Sequence, residues 1–303
     1  MNGPVARYLD GSETGRLHLQ HGPIDLVIGI DGPRATPQQI RHAQQCAWNR
    51  FQTILPDLVD ELPLLRSPAT PDGPSARGST ARRMLEAVRP FAARHFITSM
   101  AAVAGAVADE VLAAIKLGFS PDDCPERIFV NNGGDIALHL SGEAEFSVGI
   151  AQDDGNGLGR FTVTASEPVR GIATSGRGGR SLSLGIADSV TVLADDAASA
   201  DAAATIIANA IDLPGHPSIR RTPASSVKDD SDLGDLPVVI DVAPLPAVAI
   251  ARALDSGQEM AEHLIHRGLI TRAALFLQGA HRIAAPPPAP FPMTARLEMR
   301  PHA

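Results

Sequence analysis

The stretch RIFVNNGGDIALHL, residues 127–140, decides the fold class that the sequence predicts. Two apolar runs flank a Gly-Gly pair, which is typical of two strands joined by a tight hairpin turn. Strand patterns also occur at 146–151, 160–165 and 189–194, and the alternation over 16–33 predicts an earlier hairpin. Because successive strands without helices between them pair with their neighbours, the sequence predicts an antiparallel sheet.

Helical patterns surround these strands. Thr36 followed by Pro37 is typical of a helix start, because threonine caps free N–H groups and proline has none to leave unpaired. Further helical patterns cover 81–91, 100–118, 199–213 and 245–279. The combination indicates an α+β fold of antiparallel sheets with packed helices.

The 303 residues are predicted to form a single domain over 1–283. The Pro- and Gly-rich segment 66–80 reads as a surface loop, and it is the place where the domain could divide into two lobes. Residues 284–303 contain the run APPPAPFP, which favours an extended Pro-rich tail.

Composition and charge exclude several classes of function. Acidic residues outnumber basic ones by 34 to 26, and the sequence has no Lys/Arg run, so nucleic acid is not an expected partner.

The most apolar window, Met100–Ala108, is too short to span a membrane. The first eleven residues lack the pattern of a secretory signal, which favours a cytoplasmic protein. Cys46 and Cys124 lie too far apart in sequence for a zinc or redox motif.

Two glycine-bearing segments are candidate ligand loops. Asn131, Gly133, Gly134 and Asp135 combine backbone freedom with hydrogen-bonding side chains, although a type I′ turn would need the same residues. The segment 174–183 offers hydroxyls, free N–H groups and two arginines, which suit a phosphate; a solvated loop is the alternative.

Helical spacing places a second kind of candidate. Asp201 and Thr205 are four residues apart, so a carboxylate and a hydroxyl share one helix face and offer hard oxygen ligands to Mg²⁺. Charge compensation at the helix start explains Asp201 equally well. Gly105 belongs to a helix face of small residues that admits close approach, either by another backbone or by a ligand.

Five motifs in this order resemble the ApbE family, the FAD:protein FMN transferases. They are Gly105 with Asp109, NNGGDI at 131–136, ATSG at 173–176, SVTV at 189–192 and ADAAAT at 200–205. Together they span about 100–211, and the chain looks closest to a divergent, functionally uncharacterised ApbE-like branch.

The resemblance implies a T-fold-related α+β protein that binds FAD or a related nucleotide between helices and sheet. It implies a Mg²⁺ ion held by Asp201, Thr205 and a backbone carbonyl around Val103. It also implies a set of cofactor-binding residues: Gly105, Asp109, Asn131, Gly133, Gly134, Asp135, Thr174, Ser175, Gly176, Arg177 and Ser183.

Two departures from the family pattern affect the expected chemistry. Ala104 stands where the transferases carry Lys, and SLSLGIAD (181–188) replaces a run containing His and Pro. Arg177 or Arg180 could supply the missing charge and Asp188 the missing carboxylate, so Asp188 and Arg177 are the catalytic candidates.

Three functions follow from these residues. Binding of a flavin nucleotide in a cleft ranks first, because it needs only the retained motifs. An active Mg²⁺-dependent FMN transferase, or another phosphotransfer enzyme that uses FAD, is the alternative. A non-catalytic accessory factor for a redox enzyme is the third, with a redox protein as partner. Homo-oligomers are compatible with the sequence, and nothing in it requires them.

Overall fold

The computed structural model describes residues 3–9, 11–33, 35–151, 157–179 and 181–286. The described residues contain thirteen strands: β1 (Val5–Tyr8), β2 (Leu17–His21), β3 (Ile24–Asp31), β4 (Arg127–Asn132), β5 (Asp135–Leu140), β6 (Glu145–Ala151), β7 (Gly157–Thr164), β8 (Gly171–Ser175), β9 (Ser189–Ala194), β10 (Ile219–Pro223), β11 (Pro237–Val242), β12 (Arg272–Leu277) and β13 (Ala280–Ala284). Nine of them form one sheet in the order β1-β2-β3-β4-β5-β8-β9-β12-β13, while β6–β7 and β10–β11 form separate pairs.

Every described strand pairing is antiparallel. The hairpin predicted over 127–140 is β4–β5, with Asn132 opposite Asp135 across the Gly-Gly turn. The hairpin predicted over 16–33 is β2–β3, with His21 opposite Ile24. The predicted α+β class with antiparallel sheets is therefore confirmed.

The described helices are α1 (Pro37–Asp60), α2 (Leu62–Leu65), α3 (Ser79–Val88), a 3-10 helix (Ser99–Ala102), α4 (Val103–Leu117), α5 (Ala197–Ala210), α6 (Ala224–Val227) and α7 (Ala247–His266). Helix α1 begins as predicted: the Thr36 hydroxyl accepts the N–H of Gln39 at 3.2 Å, and the Gln39 side chain accepts the N–H of Thr36 at 2.9 Å. This reciprocal cap satisfies two N–H groups near the helix start.

The main sheet has a core on each face. Helices α1, α4, α5 and α7 cover one face and bury the larger apolar core with it, and α3 packs against α4 and α5. The β6–β7 hairpin covers part of the other face, where Phe129 and Ile172 of the sheet pack near Phe146 and Val163 of the hairpin. Strand β5 borders both cores, since Ala137 faces the helices and Leu138 faces the hairpin.

The prediction of a single helical region over 245–279 was wrong. Helix α7 ends at His266, and RAALFL (272–277) forms β12 between β9 and β13. A short buried apolar run has no periodicity that separates a strand from a buried helix, and neighbouring strands decide between them. The pair β10–β11 was also missed.

Some predictions concern residues that the structure leaves undescribed. Arg180 and residues 287–303 of the predicted tail lie outside the described ranges, as do residues 152–156 between β6 and β7. The 66–80 loop is described as far as the start of α3: the Glu61 carboxylate accepts the N–H groups of Arg77 and Gly78 at 2.8 and 2.7 Å. The domain limits stay a prediction.

Candidate functional site

A cavity of about 340 Å³, here called the inner cavity, opens beside the helix-covered face of the main sheet. Its walls come from five segments: the 96–104 segment that leads into α4, the β4–β5 turn, residues 174–176, 179 and 181–184 at the end of β8 and after it, one face of α5 and the 228–233 turn. Four of these segments contain residues that the sequence predicted for the site or named as departures from the family pattern. The fifth, at 228–233, does not.

The Gly-Gly turn shapes one wall of this cavity. Gly133 and Gly134 have φ angles of 66° and 115°, a region that side-chain-bearing residues rarely adopt. The Asn131 side-chain oxygen accepts the N–H of Gly134 at 2.8 Å and holds the turn. The segment is therefore a hairpin turn and also a cavity wall. A turn and a ligand loop were the two alternatives for these residues, and one segment can be both.

Asp135 joins this turn to β8. Its carboxylate accepts the N–H of Thr174 at 3.1 Å, beyond the register pairs Ile136–Ile172 and Ala137–Gly171. The residue is 9% exposed and lines the inner cavity. Asp135 thus places the 174–176 segment beside the Gly-Gly turn.

Asp201 and Thr205 lie together on the α5 wall of the inner cavity. The Asp201 carboxylate accepts the N–H of Gly105 at 3.1 Å and also that of Ala104, both at the start of α4. Burial, and then the negative charge of Asp135, raise the pKa of Asp201 well above its usual range. Two carboxylates therefore meet on this wall, where a cation would relieve their repulsion.

Asp109 makes the reciprocal contact from α4 to the start of α5. Its two carboxylate oxygens accept the N–H groups of Ala197 at 3.1 Å and Ala198 at 2.8 Å, while Asp196 accepts that of Ser199 at 2.7 Å. Each helix therefore caps the other: Asp201 of α5 caps α4, and Asp109 of α4 caps α5.

Gly105 lies where α4 and α5 touch. A Cβ atom on this residue would lie 2.2 Å from the carbonyl oxygen of Ala197. The small-residue face of α4 thus admits another backbone at this position. Neither Gly105 nor Asp109 borders a described cavity, so the structure places these two predicted cofactor-binding residues at the helix contact.

Stability is expected to fall as the pH rises from about 4 to about 7. Burial, with a smaller contribution from the charge of Asp196, raises the pKa of Asp109 to about 7. An unfolded aspartate has a pKa near ~3.9, so between these values the folded protein holds a proton that the unfolded chain releases. The free energy of unfolding then loses up to about 1.4 kcal/mol per pH unit.

Urea denaturation at pH 5 and pH 6.5 measures this slope. Asp109→Asn keeps the side chain's shape and removes its titration, so the variant is expected to show a flatter dependence than the parent protein. Equal slopes in the two proteins would contradict the assignment to Asp109.

A second cavity, of about 640 Å³ and here called the outer cavity, lies between the sheet and the β6–β7 hairpin. Ile136, Ile172 and Val148 form its apolar part, and the hydroxyls of Thr174 and Thr191 bond each other there at 3.0 Å. It adjoins the inner cavity, because Gly133 and 174–176 line both.

Arg177 and Asp188, the catalytic candidates, lie on the outer cavity. The Arg177 guanidinium donates to one Asp188 oxygen at 3.0 and 2.8 Å. The other Asp188 oxygen accepts the N–H of Gln278 in the β12–β13 turn. A Cβ on Gly176 would lie 2.4 Å from the Asp188 carbonyl oxygen. These contacts fasten the loop after β8, and Arg177 is already engaged with a carboxylate.

The remaining predicted residues divide between the two cavities. Val103 and Ser183 line the inner cavity, and Asn131 and Gly134 line the outer one. The Ser183 hydroxyl is engaged locally, since it donates to the carbonyl of Gly185 at 3.0 Å. The Ala104 position also lies on the inner cavity wall, where it contributes a methyl group.

Sequence patterns missed five polar residues of the inner cavity lining, among them Asn209, Lys228 and Asp232. Asn209 accepts the N–H of Leu184 at 3.2 Å, Asp232 accepts the Thr98 hydroxyl, and Lys228 follows α6. For Lys228 the composition offered a signal, because this residue and Lys116 are the only lysines in the chain.

No group of three or more His, Cys, Asp and Glu side chains comes together as a metal site among the described residues. No described helix combines the length and apolar character needed to cross a membrane.

Comparisons with known proteins place the chain in a family. A family model described as AbpE bacteria matches residues 6–283. A UPF0280 protein of Methanococcoides burtonii is 36% identical over 124 residues, 41% of this chain and 49% of that protein. A UPF0280 protein of Methanopyrus kandleri is 37% identical over 130 residues, 43% of this chain and 48% of that protein. The chain thus spans about half the length of the curated relatives it matches.

Solved structures give distant similarities. The ApbE protein of Thermotoga maritima aligns with a TM-score of 0.46 and 12% identity over 93% of this chain and 96% of that one. The flavin transferase ApbE of Vibrio cholerae aligns with a TM-score of 0.35 and 13% identity over 93% and 97%. The ApbE-like resemblance carried by the motifs is confirmed by the family model, and because that model matches residues 6–283, the chain belongs to the AbpE bacteria family.

Proposed function

We propose that this protein binds a flavin nucleotide, FAD or a close relative, in the inner cavity, with Mg²⁺ beside its phosphates. The observation that carries the proposal is the α5 wall, where Asp201 and Thr205 face the cavity and Asp135 adds a second carboxylate. Family membership supports the flavin, and the wall supports the metal.

The donor set fits Mg²⁺. Carboxylate and hydroxyl oxygens are the hard ligands that this ion prefers, and phosphate oxygens commonly complete its coordination. Asp201 and Thr205 would hold the ion, and Val103 borders the same cavity at the start of α4. Burial is the main cause of the raised pKa of Asp201, and the repulsion from Asp135 that adds to it would be relieved by a divalent cation. When bound, the ion would neutralise negative charge on the nucleotide phosphates.

The two adjoining cavities suit an elongated ligand. The inner cavity offers small residues and backbone at Ala101, Ala104 and Gly133, so a phosphate chain can approach closely. The outer cavity offers an apolar surface with hydroxyls at Thr174 and Thr191, which suits a planar ring. We therefore place the phosphates in the inner cavity and the ring system toward the outer one.

Binding ranks above FMN transfer for this chain. The inner cavity is lined by Ala104 where the transferases have Lys, and Arg177 is paired with Asp188 at 2.8 Å. Cleavage of a pyrophosphate needs groups that stabilise charge and move protons. The two catalytic candidates, Arg177 and Asp188, are instead paired with each other. An accessory role beside a redox protein follows if the ligand is held without turnover.

The test mixes purified protein with FAD, with and without Mg²⁺. Flavin fluorescence measures binding, and chromatography detects FMN and AMP. Saturable, Mg²⁺-dependent quenching without products is the expected result. Free FMN and AMP in equal amounts would show that the protein cleaves the FAD pyrophosphate with water as the acceptor, which would overturn binding without turnover, and absence of binding under both conditions would overturn the proposal.

A further inference from the structure

The charges around the inner cavity are unbalanced. Among the described residues that line it, Asp135, Asp201 and Asp232 are acidic, and Lys228 is the one basic side chain. An anionic ligand that enters this space meets three acidic side chains, so positive charge in addition to the proposed Mg²⁺ would favour its binding. We infer that Lys228 recognises the phosphate groups of the ligand in the inner cavity, an inference that rests on the proposed function.

Lys228 is available for this contact. Its nearest described ion pair is with Asp230 at 3.9 Å, and the side chains of both residues are more than half exposed. Asp230 already pairs with Arg66 at 2.8 Å, and the hydrogen bond from Arg66 lowers the pKa of that carboxyl. Because exposed pairs of this kind contribute little, the Lys228 ammonium can move to a phosphate at small cost.

The backbone holds Lys228 beside the cavity. Its N–H donates to the carbonyl of Ala224 at 2.9 Å, and its own carbonyl accepts the N–H of Ser231 at 3.0 Å. Two side-chain contacts hold the following turn: Arg66, just after α2, donates to Asp230, and Thr98 of the cavity lining donates to Asp232. The backbone of Lys228 is therefore held in place, and only its flexible side chain must move to contact a phosphate.

The choice of lysine is itself informative. The chain has 26 basic residues, of which only Lys116 and Lys228 are lysines. Both side chains bind phosphate: an arginine binds through a fixed fork of donors, and a lysine ammonium is a compact point charge on a flexible stem that several phosphate oxygens can share. Arg177 was expected near the phosphates from the sequence, but it borders the outer cavity and is paired with Asp188. Lys228 thus supplies the charge that the position of Ala104 lacks.

The experiment compares four proteins: the parent, Lys228→Gln, Lys228→Arg and Lys116→Gln. Each is titrated with FAD and with riboflavin, which has no phosphate, and its melting temperature is followed against inorganic pyrophosphate. Lys228→Gln is expected to weaken FAD binding about ten- to a hundredfold, the usual effect of losing a charged hydrogen bond, and to abolish stabilisation by pyrophosphate. Riboflavin binding is expected to stay unchanged, and Lys228→Arg to retain most of the FAD affinity.

Lys116 is the matched control. It lies in the last turn of α4, outside both cavities, so Lys116→Gln is expected to bind like the parent. Equal FAD affinity in Lys228→Gln and the parent would overturn the inference while leaving the proposed function intact. Lys228-dependent stabilisation by pyrophosphate without FAD binding would support phosphate recognition and overturn the flavin. A parent protein that binds neither FAD nor pyrophosphate would overturn both.

Discussion

Gly105→Val is expected to lower the free energy of unfolding by about 4 kcal/mol or more. The added Cβ would lie 2.2 Å from the carbonyl oxygen of Ala197 and 2.7 Å from the nitrogen of Ala198. Both are backbone atoms at the start of α5, so relief requires the two helices to separate. Separation would also break the reciprocal caps made by Asp109 and Asp201. Urea denaturation at pH 7 measures the effect.

Gly149→Ala is the matched control for this substitution. No atom lies within 4 Å of a Cβ at Gly149, and its φ angle requires no glycine. The control is expected to change stability by less than about 1 kcal/mol. Similar unfolding midpoints for Gly105→Val and Gly149→Ala would show that the α4–α5 contact is looser than described.

Asp201→Asn is expected to abolish the Mg²⁺ dependence of FAD binding and weaken that binding at least about a hundredfold at 1 mM Mg²⁺. The amide removes the carboxylate that Mg²⁺ prefers and keeps an oxygen that can accept the N–H of Gly105. It also removes a charge beside Asp135, so the ligand-free variant is expected to unfold at the same urea concentration as the parent or a higher one.

The Mg²⁺ dependence of FAD binding and the stability of the ligand-free protein together separate a binding role of Asp201 from a structural one. A residue that only caps α4 would lower stability when changed and would leave the Mg²⁺ dependence of the surviving protein intact. Asp195→Asn, an exposed change just before α5, controls for the loss of one negative charge nearby. Removing Mg²⁺ with a chelator should bring the parent protein to the affinity of Asp201→Asn. Unchanged Mg²⁺ dependence in Asp201→Asn would contradict the metal assignment.

Local sequence signals predicted much of the fold because they act over a few residues. Thr36 and Gln39 form the predicted cap, and Gly133 and Gly134 take the positive φ angles that a tight turn needs. The segment 272–277 was missed because its structure depends on β9 and β13 beside it. A short apolar run is compatible with helix or strand until its neighbours are in place.

The candidate site was predicted in part for the same reason. Asp201 and Thr205 share a helix face by simple periodicity, and both line the inner cavity. Lys228 lies in a turn after α6 without a motif, and only the packing of that turn against the 96–104 segment brings it to the cavity. The charges around a cavity come from residues that are far apart in sequence, so only the folded structure shows how they balance.

The sequence by itself determined the α+β class, the antiparallel hairpins and the order of motifs that places the chain in its family, since all of these depend on local patterns. Only the tertiary structure decided what Gly105, Asp109 and Asp201 do. Their partners lie about ninety residues away, on the other of two helices that cap each other. The same packing decided that Arg177 pairs with Asp188 and that Lys228 borders the inner cavity, because long-range contacts and burial set which charges meet.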